Sequence, residues 1–178
     1  MYPNISQKRP TPFFGFEVWK FQRMLRKAEY YENCKKSLFD KPLYYFYRFL
    51  LRNKQLKLNF SIPTNVFDAG LNIAHYGTII VNPKTKVGKN CRLHACTNIG
   101  AGAGTSDAPV LGDNVYIGPG AKLFGKIESA DNIVIGANAV VNKSFLTPNV
   151  SIGGVPAAVI SPKGSDGILI KGTDYVTL

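Results

Sequence analysis

From Val81 to Val141 an aliphatic side chain returns at every sixth position: Val81, Val87, Leu93, Ile99, Leu111, Ile117, Leu123, Ile135 and Val141. Thr105 and Ser129 are the only exceptions among eleven steps. Glycine follows at Gly88, Gly100, Gly112, Gly118 and Gly136, and the fourth residue after the aliphatic one is often small (Thr85, Cys91, Thr97, Ala103, Ala121, Ala139). A strand alternates with period two and an amphipathic helix with a period near 3.6, so a beat of six fits neither. Short strands turning at regular corners fit it, each coil stacked on the last at a strand spacing of roughly 4.8 Å. The aliphatic residue is expected inside the coil, and the glycine is expected to ease the corner.

The beat slips once. Phe67, Ile73 and Ile79 also step by six, but they stand two residues out of phase with the Val81 series. Two extra residues are therefore predicted to bulge within Ala74–Thr78, around His75, and bulged turns often present functional side chains. With the slip allowed for, one turn carries Ala74 onto His94, the only other histidine, on the adjacent coil. The beat also fails in substance across Ile99–Asp113, IGAGAGTSDAPVLGD, where Thr105 and Ser106 replace the aliphatic–glycine pair. A projecting loop is predicted there. Its glycines follow no βαβ pattern and lack a spaced acidic partner, so a dinucleotide fingerprint is rejected.

Before the ladder the pattern turns helical. Two short helices are predicted at residues 16–36 and 40–57, with Pro42 near the start of the second and Asn53 near its fraying end. Charge changes the picture here, because residues 1–57 hold thirteen of the 22 Lys and Arg against four acids, most of the net charge of +11. Aromatics crowd the same segment, from Phe13, Phe14, Phe16 and Trp19 to LYYFYRFLL at Leu43–Leu51. Two readings stand. The segment caps the end of the coil and shields its strand edges, or it lies on a membrane with Tyr44, Tyr45, Phe46, Tyr47 and Phe49 among headgroups and Arg48, Arg52, Lys54 and Lys57 facing anionic lipid. Nucleic acid is a poorer account, since no recognised module accompanies the charge.

At 178 residues and 45% hydrophobic the chain has the size of one domain plus an appendage. No apolar run is long enough to span a bilayer, and MYPNISQKRPTPFF lacks the order of a signal peptide, so a cytoplasmic location, peripheral to the membrane under the second reading, is expected. Cys34, Cys91 and Cys96 form no CxxC pair and read as structural thiols, signalling neither a disulfide framework nor a metal cage.

The segments VNPKTKVGKNCRL, PVLGDNVYIGPGAKLFGKI, IVIGANAVVNKSF and SIGGVPAAVI resemble hexapeptide-repeat acetyltransferases of the serine acetyltransferase type over about residues 58–162. The resemblance implies a mainly β chain: a left-handed parallel β-helix at residues 58–163 after the helical segment 1–57, followed by a tail at 164–178. It further implies a homotrimer with acetyl-coenzyme A bound between neighbouring chains. GLNIAHYGTIIVNP resembles the stretch that holds the catalytic histidine, which makes His75 the expected general base. Imidazole suits that task, being neutral at cellular pH yet able to accept a proton in the transition state. His94 is a secondary candidate, for acceptor contact or for structure. Relatives that make O-acetylserine carry an aspartate one coil before that histidine, whereas counting back fifteen residues reaches Phe60; Asp68 and Asn72 are the nearby substitutes, and a backbone carbonyl is the remaining way to orient the ring.

By the same resemblance, Gly100, Ala101, Gly102, Gly118, Gly120, Ala121, Gly136 and Ala137 are expected to let the pantetheine arm lie against the backbone. Each is also small enough to be a mere corner residue. Lys143 and Lys163 are candidate partners for coenzyme phosphates, while Ala158 stands where many relatives have a basic residue. No metal is expected: a γ-class carbonic anhydrase shares such a coil but needs three zinc-binding histidines, and this chain has two. The expected activity is O-acetylation of a sugar hydroxyl in surface polysaccharide synthesis, with serine O-acetylation as the enzyme alternative. A non-catalytic trimeric scaffold is the alternative of another class, since a fold alone names no substrate.

Overall fold

The structure, a computed structural model, describes residues 17–35 and 37–175; Phe13, Phe14, Phe16 and Lys36 lie outside them. Two helices, α1 (Glu17–Cys34) and α2 (Lys41–Leu58), are joined through a 3-10 turn at Leu38–Asp40. Pro42 sits in the first turn of α2, where its missing N–H costs nothing. Asn53 is not at a fraying end. The helix runs on to Leu58 and closes on Asn59, which takes the left-handed conformation at φ 58° and donates its N–H to Gln55 O.

The coil follows as short strands on three sides. The first side carries β1 (Phe60–Ser61), and β2 (Asn72–Ile73) opens another after a bridge at Phe67. Then come β3 (Ile79–Val81), β4 (Lys86–Val87), β5 (Arg92–Leu93), β6 (Asn98–Gly100), β7 (Val110–Leu111), β8 (Tyr116–Ile117) and β9 (Lys122–Phe124). The last turns hold β10 (Glu128–Ser129), β11 (Val134–Ile135), β12 (Val140–Val141), β13 (Ser151–Gly153) and β14 (Ala158–Ser161). Sheets run β1-β3-β6-β9-β12, β10-β7-β4 and β14-β13-β11-β8-β5-β2, all parallel except the final β13–β14 pair. This is a left-handed parallel β-helix.

Nine aliphatic ladder residues are buried, Leu93, Ile99, Ile117 and Ile135 completely. A second buried row alternates with them: Thr85, Cys91, Thr97, Val115, Ala121, Ile133 and Ala139. Thr105 is exposed on the projecting loop, and Ser129 leaves its hydroxyl buried without a partner.

The glycines do something other than ease corners. Gly88, Gly112 and Gly118 have no positive φ, but a Cβ on any of them would lie 2.8 Å from backbone of the next coil. They are required for stacking. Left-handed positions are shared mainly between other glycines and asparagine, whose side chain tolerates that conformation. Asn90, Asn114, Asn132 and Asn149 form a ladder at one edge, each amide donating to the next at 2.9 to 3.0 Å. The chain then returns along this edge: Ser165 is buried with its hydroxyl on Asn114 O, and Thr173 donates to Asn90 Oδ1.

The two helices close the first end of the coil. Phe21, Leu25, Ala28, Leu51 and Leu58 belong to the same core as Phe60, Ile62 and Ile79, and Phe21 meets Phe60 edge to face at 5.0 Å. Arg26 donates to Phe67 O and Asp68 O, Gln55 to Ile62 O, and Asn65 N–H to Glu29. Open strand ends are thus satisfied by side chains. Glu17, between Lys54 and Lys20, ties the helices together, and those ammonium groups hold its carboxyl down at about 2.

Candidate active site

His75 and His94 meet because of where the coil lengthens. Ile73 faces Leu93, twenty residues on, whereas Ile80 faces Asn98, eighteen on. The surplus pair therefore lies between Ile73 and Ile79. Ala74 donates to Leu93 O at 3.0 Å, which puts it beneath His94 and sets His75 one step further round. The imidazole centroids are 6.4 Å apart. His75 is exposed and His94 half-buried. Gly77 turns the chain back at φ 134°, conformational space that a β-carbon would strain.

His94 is held in place by its surroundings. Its Nε2 accepts from Arg92 Nε at 3.4 Å, its ring stands 5.0 Å from that of Tyr116, and its carbonyl accepts from Thr97 Oγ1 at 2.8 Å. Desolvation, then the charges of Arg92 and His75, push its pKa below the usual histidine value. An Nε2 that accepts a hydrogen bond leaves the proton on Nδ1. Both effects favour the uncharged imidazole with Nδ1 as its free donor.

No described side chain hydrogen-bonds the His75 ring. The reason is architectural: the corner beneath it is occupied by the end of α2, with Gly77 donating to Leu58 O and Ile79 to Asn59 O. Phe60 pairs with Ile79 and is buried as a plug between helix and coil. A carboxylate there would be buried without a partner. Asp68 does not substitute, since it follows Phe67 at the corner before β2 while His75 occupies the corner after it. Asn72 lies in register with Arg92 on the same sheet as the histidine corner.

The expected coenzyme residues divide by placement. Gly100 ends β6, Ala101 and Gly102 open the loop after it, and a Cβ on Gly102 would lie 3.2 Å from the Gly125 Cα. Gly125, at φ 88°, donates to Gly100 O and so anchors the loop base; step-of-six counting gives it no weight. Gly118 is buried between coils, Gly120 makes a left-handed corner at φ 75°, and Gly136 and Ala137 lie at the same corner one coil on. Ala121 is fully buried inside the coil, where the interior row requires a small residue. Lys143 is exposed with Nζ 5.6 Å over the Phe145 ring, and Lys163 is exposed beyond β14. Cys91 points into the core, where burial pushes its thiol up to about 12 and makes it inert. No group of three His, Cys, Asp or Glu that could hold a metal ion occurs among the described residues.

No family model matches the chain. It is 37% identical over 100 residues to the serine acetyltransferase of Mycobacterium tuberculosis, covering 55% of this chain and 43% of that protein. To the Helicobacter pylori serine acetyltransferase it is 33% identical over 87 residues, covering 47% of this chain and 50% of the relative. The chain thus spans about half the length of the curated relatives it matches. Among solved structures it resembles serine acetyltransferase from Brucella abortus in complex with coenzyme A, at a TM-score of 0.68 and 24% identity over 83% of this chain and 57% of that one. The serine O-acetyltransferase of Brucella melitensis gives 0.67 and 24% over 86% and 64%. At that identity these structures establish the fold.

Proposed function

We propose that this protein is an acetyl-coenzyme A-dependent O-acetyltransferase in which His75 is the general base. The observation that carries the reading is the lengthened coil, which sets an exposed His75 beside a half-buried His94 at 6.4 Å. In the proposed reaction His75 takes the proton of an acceptor hydroxyl, and the oxygen adds to the thioester carbonyl carbon. The tetrahedral adduct collapses with breakage of the C–S bond; the thiolate takes up the proton, leaving an acetyl ester and free coenzyme A thiol. His94 Nδ1–H is available to hold the acceptor or the developing oxyanion.

The serine acetyltransferase relatives support serine as acceptor more strongly than the sugar hydroxyl that composition and the missing aspartate had put first. The sugar reading retains one observation in its favour, the α2 end that fills the corner where O-acetylserine-forming relatives are expected to carry an acid. Incubation with acetyl-coenzyme A and serine, neutral sugars, acidic sugars or nucleotide sugars, with free thiol measured, tests the reading. Acceptor-dependent thiol release is expected; none with any acceptor favours the scaffold alternative.

Two partner proposals accompany it. A homotrimer is supported by apolar side chains exposed on the coil faces, including Ile80, Val110 and Phe124. Contact with an anionic membrane is supported by α2, which has no acidic residue, exposes Tyr45, Phe46, Phe49 and Leu56, and carries Lys41, Arg48, Arg52 and Lys57 beside them. The same basic helix would repel a second copy of itself. No helix among the described residues is long and apolar enough to cross a membrane.

A further inference from the structure

We infer that Arg92 is the acceptor-binding residue of this site, and that the acceptor is an anionic hydroxyl compound, its carboxylate or phosphate gripped by the Arg92 guanidinium while its hydroxyl reaches the histidines. The inference rests on the proposed O-acetyltransferase reading and names its substrate class.

Arg92 stands on β5 with Asn72 of β2 on one side and Tyr116 of β8 on the other. It is half-buried and donates through Nε to His94. All five ion pairs of the described residues lie elsewhere, on Glu17, Glu29, Glu32 and Asp166, so no described carboxylate lies within 4 Å of this guanidinium. A guanidinium stays charged at every accessible pH, and a half-buried one without a counter-ion is costly. Its contact with His94 supplies no counter-charge, because an imidazole is never negative. With Nε committed, the outer edge presents the planar pair of N–H donors that matches a carboxylate or phosphate bidentately.

The neighbours point the same way. Asn72 and Tyr116 stand in register with Arg92, His94 accepts from it, His75 lies beyond His94, and none of these is an acid. The site is built to receive negative charge and offers no described carboxylate to an ammonium group. Serine qualifies through its carboxylate, and so does an acidic sugar. A neutral sugar does not. The division that matters is therefore charge, not serine against sugar.

The test compares glycerate, glycerol 3-phosphate and glycerol as acceptors for the full chain and for Arg92→Gln and Arg92→Lys, with folding checked by melting temperature. The wild-type protein is expected to prefer one of the two anions over glycerol by ~30-fold or more in kcat/KM, as a charge-assisted bidentate contact provides. Which anion wins identifies carboxylate or phosphate. Arg92→Gln is expected to bring the ratio near unity and Arg92→Lys to restore part of it. No preference for either anion, or equal losses on all acceptors in Arg92→Gln, overturns the inference. Titration of glycerate and of glycerol 3-phosphate against the His94 ring resonances separates the two levels. If no acceptor is acetylated, the O-acetyltransferase reading fails. The anion site then stands if either anion shifts those resonances in wild type but not in Arg92→Gln, and falls if neither does.

Discussion

His94 and Asn114 show how single side chains hold this coil and its chemistry. Burial and the Arg92 charge keep the His94 pKa below the usual value. Unfolding frees it to bind a proton near pH 6.5, so below that pH the unfolded state takes up protons that the folded state refuses. The His94 contribution to stability is therefore complete above about pH 6.5 and is lost as pH falls through the depressed folded value. Thermal melts between about pH 5 and 7 are expected to show acid destabilisation that is shallower in His94→Gln; parallel curves for the two proteins would deny His94 that role. Asn114 sits at φ 57°, accepts from Asn90 and donates to Asn132. Asn114→Ala strains the corner and strands two amides at a cost of about 2–3 kcal/mol, whereas Asn114→Gly keeps the backbone and loses less. Chemical denaturation of both variants measures the difference.

Elements explain which of these features are legible in sequence. A six-residue aliphatic beat has no other simple source than a coil, so the ladder, its interior face and the loop at Thr105 can be read directly, and so can the slip that brings His75 near His94. Gly118 shows the limit. Its spacing is visible, but its reason is the Ala137 N and Ile135 O of the next coil, 2.8 Å from where a Cβ would stand, and that packing depends on three-dimensional stacking. Gly118→Ala is expected to lower stability by about 1–3 kcal/mol in denaturant titration without any ligand present. Ala121 was illegible for a related reason: interior and corner rows both favour small residues, and only the direction of the side chain separates them. Counting back from His75 assumes a further coil beneath it, yet α2 ends there. Arg92 also escaped notice, since it looks like any outward strand residue until His94 Nε2 is found 3.4 Å away.

The outer face of α2 belongs to this scale too. Phe39 in the preceding turn is 91% exposed, and Tyr45, Phe46 and Phe49 continue the surface. Flotation with vesicles is expected to recover the full chain when they contain anionic lipid and much less when they are neutral, with Phe46→Ser/Phe49→Ser reducing recovery severalfold. Equal recovery of both proteins by both vesicle types would argue that the helix only caps the coil.

For the whole molecule the helices and the coil share one core, the returning tail is hydrogen-bonded along the asparagine edge, and an open histidine corner lies where the helical cap gives way to the coil. That position separates stability from chemistry. Phe21, Phe60 and Ile79 hold the cap from inside, while His75 carries little packing and is free to act. The measurement that bears most directly on the proposed activity is acetyl transfer by His75→Ala, compared with wild type at saturating acetyl-coenzyme A on the best acceptor, with mass and melting temperature determined in parallel. A loss of ~10²–10⁴-fold in kcat with unchanged assembly and melting is the expected result for a general base; turnover equal to wild type would remove His75 from the mechanism and leave the lengthened coil as a structural feature alone.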